Sequence, residues 1–426
     1  MKSIKLHINK LGLIRDADLE ITPMMVFSGE SGLGKSYLAI LCHYFFHVWL
    51  NPRRLHNIFI AHEYDFLKIQ DTLKDKEVVL RLKKSELESW LQEDSIDYLR
   101  YMLGHKELQA SINVFLPEEL DDEFVFEYER EIIGFDNNED VYSALSIMHL
   151  KYRFKKLGLN DESPLAYVLR FAMIQELFGY FQGLLSSFVL PPSRGTYMID
   201  EVQGISGLSQ SFLSGMKELE NVPEIKEIIS QNLINLFRTV LDGQIERRGD
   251  KYVYLSHGDE MPISAAAASV REIAPMQLLI EKKDISRTAI LIEEPEAHLH
   301  PLKQRMMADI VAMMASGGAS MQITTHSDYF IRRLNEYVSL ANIKNRKGDD
   351  IYNTACKKLG IDSQILFPVE NLSAYLLMPE DGEITKVVRQ SINYGVPFST
   401  FTKAIDGSMT NSLYIDQILE EDDCNE

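Results

Sequence analysis

Gly29-Glu30-Ser31-Gly32-Leu33-Gly34-Lys35-Ser36 stands between a short apolar run, Met24-Met25-Val26-Phe27, and a longer one, Tyr37-Leu38-Ala39-Ile40-Leu41-Cys42. It satisfies G-x-x-x-x-G-K-[S/T] at every fixed position. A polyphosphate needs several donors at once, and glycines let backbone N–H groups turn inward without side chains in the way. In that pattern Lys35 brings a point charge to the β- and γ-phosphates, and the Ser36 hydroxyl is placed to hold Mg²⁺. The run from Tyr37 favours a helix, whose positive N-terminus faces the phosphates. Met24 to Phe27, after Pro23, reads as a buried strand, which completes a strand–loop–helix setting. The expected nucleotide contacts are Gly29, Glu30, Ser31, Gly32, Leu33, Gly34, Lys35, Ser36 and Tyr37.

A second stretch, Ala289-Ile290-Leu291-Ile292-Glu293-Glu294, is a buried strand that delivers two adjacent carboxylates at its end. Neighbouring strand residues face opposite ways, so the two need not share a task. One can orient Mg²⁺ and its waters while the other polarises the attacking water. Pro295-Glu296-Ala297-His298-Leu299-His300-Pro301 then turns the chain into a helix over 302–314, ended by Gly317-Gly318. His298 and His300 alternate inside a proline-bounded turn, which reads as structural rather than as a metal site. Met321-Gln322-Ile323-Thr324-Thr325 is a strand ending in His326, a histidine that can reach a γ-phosphate, and Ser327 suits the cap of a helix over 328–340.

Working outward, Ile4 to Ile8 and Ala17 to Ile21 alternate with period two, so a hairpin precedes the loop. From 51 to about 161 apolar residues recur at helical spacing, as in Leu80 to Leu91, with one strand expected at Phe124 to Tyr128. Ser163-Pro164 opens an apolar helix running to about Leu185. Phe188-Val189-Leu190 is a strand ended by Pro191-Pro192, from which Arg194 emerges either as a phosphate sensor or as an ordinary surface arginine. A helical segment over about 199–240, a hairpin over 244–254 turning at Gly249-Asp250, and small residues at 262–269 leading into a helix complete the middle of the chain.

Composition narrows the classes. Acidic residues outnumber basic ones, 63 to 44, for a net charge of −19, which disfavours broad binding to nucleic acid. Cys42, Cys356 and Cys424 are scattered and indicate neither a disulfide framework nor a metal cluster. The N-terminal residues lack the apolar core of a secretory leader, and the apolar run Tyr37 to Leu50 is too short to span a bilayer. A cytoplasmic protein with no membrane partner is expected. The acidic end, Glu420-Glu421-Asp422-Asp423, reads as a solvated tail.

GESGLGKS, AILIEEPEAHLHP and ITTHSD, in that order, resemble the ATP-binding-cassette ATPases of the non-transporter branch. More narrowly, the chain resembles the family of the ATPase domain of overcoming-lysogenisation-defect nucleases and its stand-alone relatives in bacterial anti-phage systems. The resemblance implies an α/β fold: an ABC-ATPase-type P-loop core, a mixed sheet flanked by helices, with a mainly helical insertion. The divisions it suggests are 1–50 and 187–345 for the core, the latter including the helical segment at about 199–240, 51–186 for the insertion, and 346–426 for a C-terminal α/β extension.

It also implies ATP and Mg²⁺ as ligands. Ser36 and Glu293 would hold the metal. Glu294 would be the general base, His326 would contact the γ-phosphate, and 296–301 would be the turn through which partners communicate. Ala267-Ala268-Ser269 stands where the family has Ser-Ser-Gly, the segment that closes on ATP from a second copy, so only Ser269 keeps a hydroxyl there. The glutamine that usually senses the nucleotide has no clear counterpart; Gln203 and Arg194 are weak candidates.

The expected function is a slow, regulatory ATPase that forms a homodimer or higher oligomer. It would be the sensor or scaffold of an anti-phage defence system, controlling a separate effector, a nuclease, on a phage-derived trigger. No acidic metal cluster of a topoisomerase-primase nuclease and no His-Asn-His motif is legible. The alternatives are a DNA-clamping repair or recombination ATPase of the SMC or Rad50 kind, and a transporter's ATPase subunit, which the long insertion disfavours.

Overall fold

The computed structural model describes residues 2–64, 73–135, 138–154, 163–179, 183–198, 206–223, 228–249, 251–392, 395–396 and 406–415. A hairpin opens the chain as its alternation requires: β1 (Lys5–Leu11) runs antiparallel to β2 (Ile14–Glu20), with Leu6 opposite Leu19 and Ile8 opposite Ala17. β3 (Met24–Gly29) is buried at every residue and leads through the glycine loop into the helix Lys35–His47. Asn51 then caps the helix Pro52–Ala61, accepting from the Arg54 N–H with proline at the first position.

The insertion departs from its expected helical character. It holds β4 (Lys76–Lys83), the helix Lys84–Leu103, β5 (Ala110–Phe115), β6 (Glu123–Phe135), β7 (Asn138–Ile147), β8 (Leu150–Phe154) and the helix Pro164–Phe178. β4, β6, β7 and β8 form a four-stranded antiparallel sheet, and β5 leaves the insertion to pair with β1. The cause is visible at two places. Leu80, Leu87 and Leu91 share a helical face while Leu80 and Leu82 alternate as in a strand, and the chain is strand up to Lys83 and helix only from Lys84. In β6, Phe124, Phe126 and Tyr128 alternate inward, and Phe126 meets Phe59 edge-on at 5.7 Å. The helix from Pro164 stops at Phe178 because Gly179 takes φ 83°, so it falls short of Leu185.

β9 (Ser186–Leu190) is followed by the helices Gly207–Glu220 and Ile228–Leu241. β10 (Gln244–Arg248) and β11 (Lys251–Ser256) form the expected hairpin, extended by a third strand, β12 (Asp259–Pro262). The helix Ala268–Lys282 precedes β13 (Thr288–Glu293), the helix Pro301–Ser316, β14 (Ser320–Thr325) and the helix Asp328–Lys347. Gln203, Asp250, Cys424 and the acidic stretch 420–423 lie outside the described residues. Among the described residues, no helix is long and apolar enough to cross a membrane.

After the helix Asp349–Leu359 come β15 (Leu372–Glu380) and β16 (Ile384–Arg389). These belong to the core rather than to an extension. The central nine-stranded sheet has the order β5-β1-β2-β16-β15-β3-β14-β13-β9, so β15 lies directly beside the loop strand. Its first six residues are buried, Tyr375 stacks on Phe27 at 5.7 Å, and the Tyr375 hydroxyl accepts from the Glu20 N–H at 2.9 Å. A division of the chain at 346 therefore cuts through one sheet. The fold is α/β, a large mixed sheet flanked by helices, as the resemblance implied.

Candidate active site

From β15 through β9 the sheet is parallel, so five strands end on one edge. Ligands of open α/β sheets bind outside such carboxyl ends. β3 ends at Gly29, β14 at Thr325 and β13 at Glu293, with Glu293 level with Thr324 and Thr325 level with Ser28. The register alone thus gathers the glycine loop, the two carboxylates and His326.

Gly29, Gly32 and Gly34 have φ of 131°, 82° and 95°. At Gly29 a Cβ would lie 2.3 Å from the Leu377 carbonyl oxygen, so the neighbouring core strand β15 excludes any side chain there. A Cβ at Gly32 would meet nothing within 4 Å; the loop is open on that side. Gly34 is the N-cap of the helix Lys35–His47 with no side-chain cap, which leaves the first-turn N–H groups free for an anion. Lys35 folds back, its ammonium donating to the carbonyls of Gly29 at 3.0 Å and Glu30 at 2.6 Å. Burial pushes its pKa down to about 8, against the pull of Glu294 and Glu293. Loop and lysine together fit a polyphosphate.

The Ser36 hydroxyl donates to Glu293 Oε2. A hydroxyl and a carboxylate in contact are hard oxygen donors of the kind Mg²⁺ takes. Glu293 and Glu294 differ sharply. Glu293 is 3% exposed, and burial lifts its pKa to about 6 against the lowering effect of the Ser36 bond. The Glu294 side chain is 41% exposed and lies 3.3 Å from His326 Nε2, and that histidine holds its carboxyl below the ordinary range. Glu294 has φ 48°, a left-handed conformation that turns its side chain out of the strand line into the open site. Its N–H is held by the Thr324 carbonyl at 3.0 Å. One carboxylate is thus buried beside Ser36 and the other is open to water beside a histidine.

Sequence reasoning missed the support behind this pair. Glu296 Oε1 accepts from Thr325 Oγ1 at 2.6 Å and from the backbone N–H groups of His326 and Ser327 at 2.9 and 3.1 Å, so it fixes the turn that carries His326. Glu296 is buried, and burial raises its pKa. Ser327 caps its helix through the Phe330 N–H, as expected. His300 is the N-cap of the helix Pro301–Ser316 and accepts from Leu302, and His298 sits at φ 61° in the same turn. Arg194 is not a surface residue: it is 0% exposed, and among the described residues its hydrogen bonds go to backbone carbonyls. Ser269 lies half-buried in the first turn of the helix Ala268–Lys282, and among the described residues no hydrogen bond joins it to the loop of its own chain.

Residues 205–331 match the model of a family described as an AAA ATPase domain. Among solved structures the chain is similar to the SmcHead bound to the C-winged helix domain of ScpA, at 13% identity and TM-score 0.38, with 92% of this chain and 97% of that one covered. It is also similar to the SMC head domain from Thermotoga maritima, at 8% identity and TM-score 0.34, covering 92% and 100%. A third is the Smc head domain with an extended coiled coil bound to the C-terminal domain of ScpA derived from Pyrococcus furiosus, at 12% identity and TM-score 0.38, covering 95% and 98%. No curated protein matches. The matched stretch 205–331 contains both carboxylates and His326 and so supports an ATPase domain, and the glycine loop contributed by β3 lies outside it and adds the phosphate-binding pattern.

Proposed function

We propose that the chain binds ATP on the loop 29–36 and hydrolyses it slowly as a regulatory ATPase, with Glu294 as general base. The observation that carries this reading is the division of labour at one sheet edge: Ser36 with buried Glu293, and exposed Glu294 with His326. Lys35 neutralises the β- and γ-phosphates once it releases the two loop carbonyls. Ser36 and Glu293 hold Mg²⁺, which when bound supplies charge neutralisation at the phosphates. Glu294 accepts the proton of the attacking water, and His326 donates toward the γ-phosphate. The contacts Glu30, Ser31, Leu33 and Tyr37 come from the loop and the first helical turn.

Among the described residues no hydrogen bond joins Ser269 to the loop of its own chain, and on the proposed reading a second copy completes the site and ATP drives self-association. Within the cell the protein acts as the sensor or scaffold of an anti-phage system that restrains a separate nuclease. The resemblance of its three motifs supports this role. Sedimentation of the full chain with Mg-ATP, followed by co-purification with the product of the adjacent gene, tests both levels. Dimers on ATP and a co-purified nuclease are expected. A chain that stays monomeric, ignores its neighbour and binds DNA with steep salt dependence would replace this reading with a DNA clamp.

A further inference from the structure

Arg194 is a wholly buried guanidinium that joins three segments distant in sequence. Its Nε donates to the Glu272 carbonyl at 2.7 Å, and its Nη1 to the carbonyls of Pro191 at 3.2 Å and Glu293 at 2.9 Å, while among the described residues Nη2 has no partner. Glu293 is the last residue of β13, from which the chain turns through Glu294. Glu272 lies near the start of the helix Ala268–Lys282, which carries Ser269. A guanidinium suits this span because its fixed fork presents donors along different edges, which a single ammonium cannot reproduce.

The receiving helix is prepared for the contact. Pro275 within it has no N–H to give the Arg271 carbonyl, so the hydrogen-bond ladder is interrupted one residue before Glu272, whose carbonyl Arg194 meets. Gly195 lets the two backbones close up: a Cβ there would stand 2.9 Å from Glu272 Oε1 and 3.1 Å from the Arg271 carbonyl carbon. Arg-Gly at 194–195 is therefore a fitted joint between β13 and the helix. Its charge also answers the buried acids around it, Glu272, Glu293 and Glu296.

We propose that Arg194 is a positioning residue that ties the Glu293–Glu294 turn to the helix Ala268–Lys282, so that ATP engagement at the carboxylates moves the segment 267–269. The proposal deepens the ATPase reading above and rests on it. When the nucleotide draws the Glu293–Glu294 turn toward itself, the Glu293 carbonyl moves with it. Arg194 carries that movement to the first turns of the helix.

The test uses the full chain, the parent beside Arg194→Lys and Gly195→Ala. Hydrogen exchange of the amides in 268–282 is measured with and without Mg-ATP, alongside kcat and KM. Gly195→Ala keeps the guanidinium and wedges the joint, so it carries the test if Arg194→Lys does not fold. ATP should slow exchange over 268–282 in the parent. In the variants that slowing should vanish and kcat should fall about tenfold to a hundredfold with KM little changed. A variant with only a lower melting temperature, with parental exchange response and kcat, overturns the proposal, as does a parent whose 268–282 amides ignore ATP. If the parent stays monomeric on ATP yet its exchange response depends on Arg194, the dimer reading fails and the joint stands.

Discussion

The loop 29–36 and the support behind the turn 293–296 meet at one sheet edge, yet they are built in opposite ways. The loop is local: its glycines, lysine and serine are contiguous, and its geometry follows from three positive φ angles and one helix start. The support is assembled from afar: Arg194, Glu272, Glu296 and Thr325 converge from four elements, and each is buried. A local motif can be moved between folds and still bind phosphate. The supporting side chains work only in this packing, where each charged group is answered by carbonyls, amides or an opposite charge. On the proposed reading the difference separates binding, assigned to the loop, from timing and communication, assigned to the support.

Substitutions on the two sides should therefore fail differently. The largest effect belongs to the loop. Lys35→Ala should leave the melting temperature close to the parent's and cut kcat/KM by about two to three orders of magnitude, with ATP binding lost in a direct titration. Retained ATP affinity would show that the folded-back lysine never leaves its carbonyls, and the comparison would break.

On the support side, Glu296→Ala should keep ATP affinity while lowering kcat about tenfold to a hundredfold, because His326 and Ser327 lose the acceptor that sets their turn. It should also destabilise the fold by about 1–3 kcal/mol, as buried donors are left without partners. Glu296→Gln should come close to the parent in steady-state kinetics, since the amide oxygen still accepts. If the glutamine variant is as poor as alanine, the charge rather than the acceptor matters.

A smaller, separable effect lies behind the helix Lys35–His47. His43 Nδ1 is 2.9 Å from Gln322 Oε1 and His47 Nδ1 is 2.8 Å from Ser187 Oγ. Burial lowers their pKa values from 6.5 to about 3 and about 4. Below pH 6.5 the unfolded chain takes up protons that the folded chain refuses, so stability should fall between pH 6.5 and about 3. His47→Gln should make the melting-temperature profile shallower over that window, and the contribution of His43 should remain.

How much was legible follows the same division. The loop, the two-carboxylate strand, the His326 strand and the N-terminal hairpin are contiguous patterns with one period each, and they stand where the sequence places them. β15 was not legible as core, because only its neighbours, Phe27 on one side and β16 on the other, reveal that it completes the sheet. The insertion's first strand was hidden because Leu80 falls in line with Leu87 and Leu91, so a helical spacing runs across the strand–helix boundary at Lys83. Arg194 illustrates the limit best. A strand-end arginine looks the same in sequence whether it meets solvent, phosphate or three carbonyls, and only the convergence of 191, 272 and 293 decides.

The central claim is that Glu294, the exposed member of the pair, takes the proton of the attacking water while Glu293 serves the metal. Single-turnover hydrolysis by Glu294→Gln measures it most directly. The expected result is ATP bound with near-parental affinity and held uncleaved, with the chemical step slowed about 10²- to 10⁴-fold. Hydrolysis by Glu294→Gln at the parental rate would contradict the assignment.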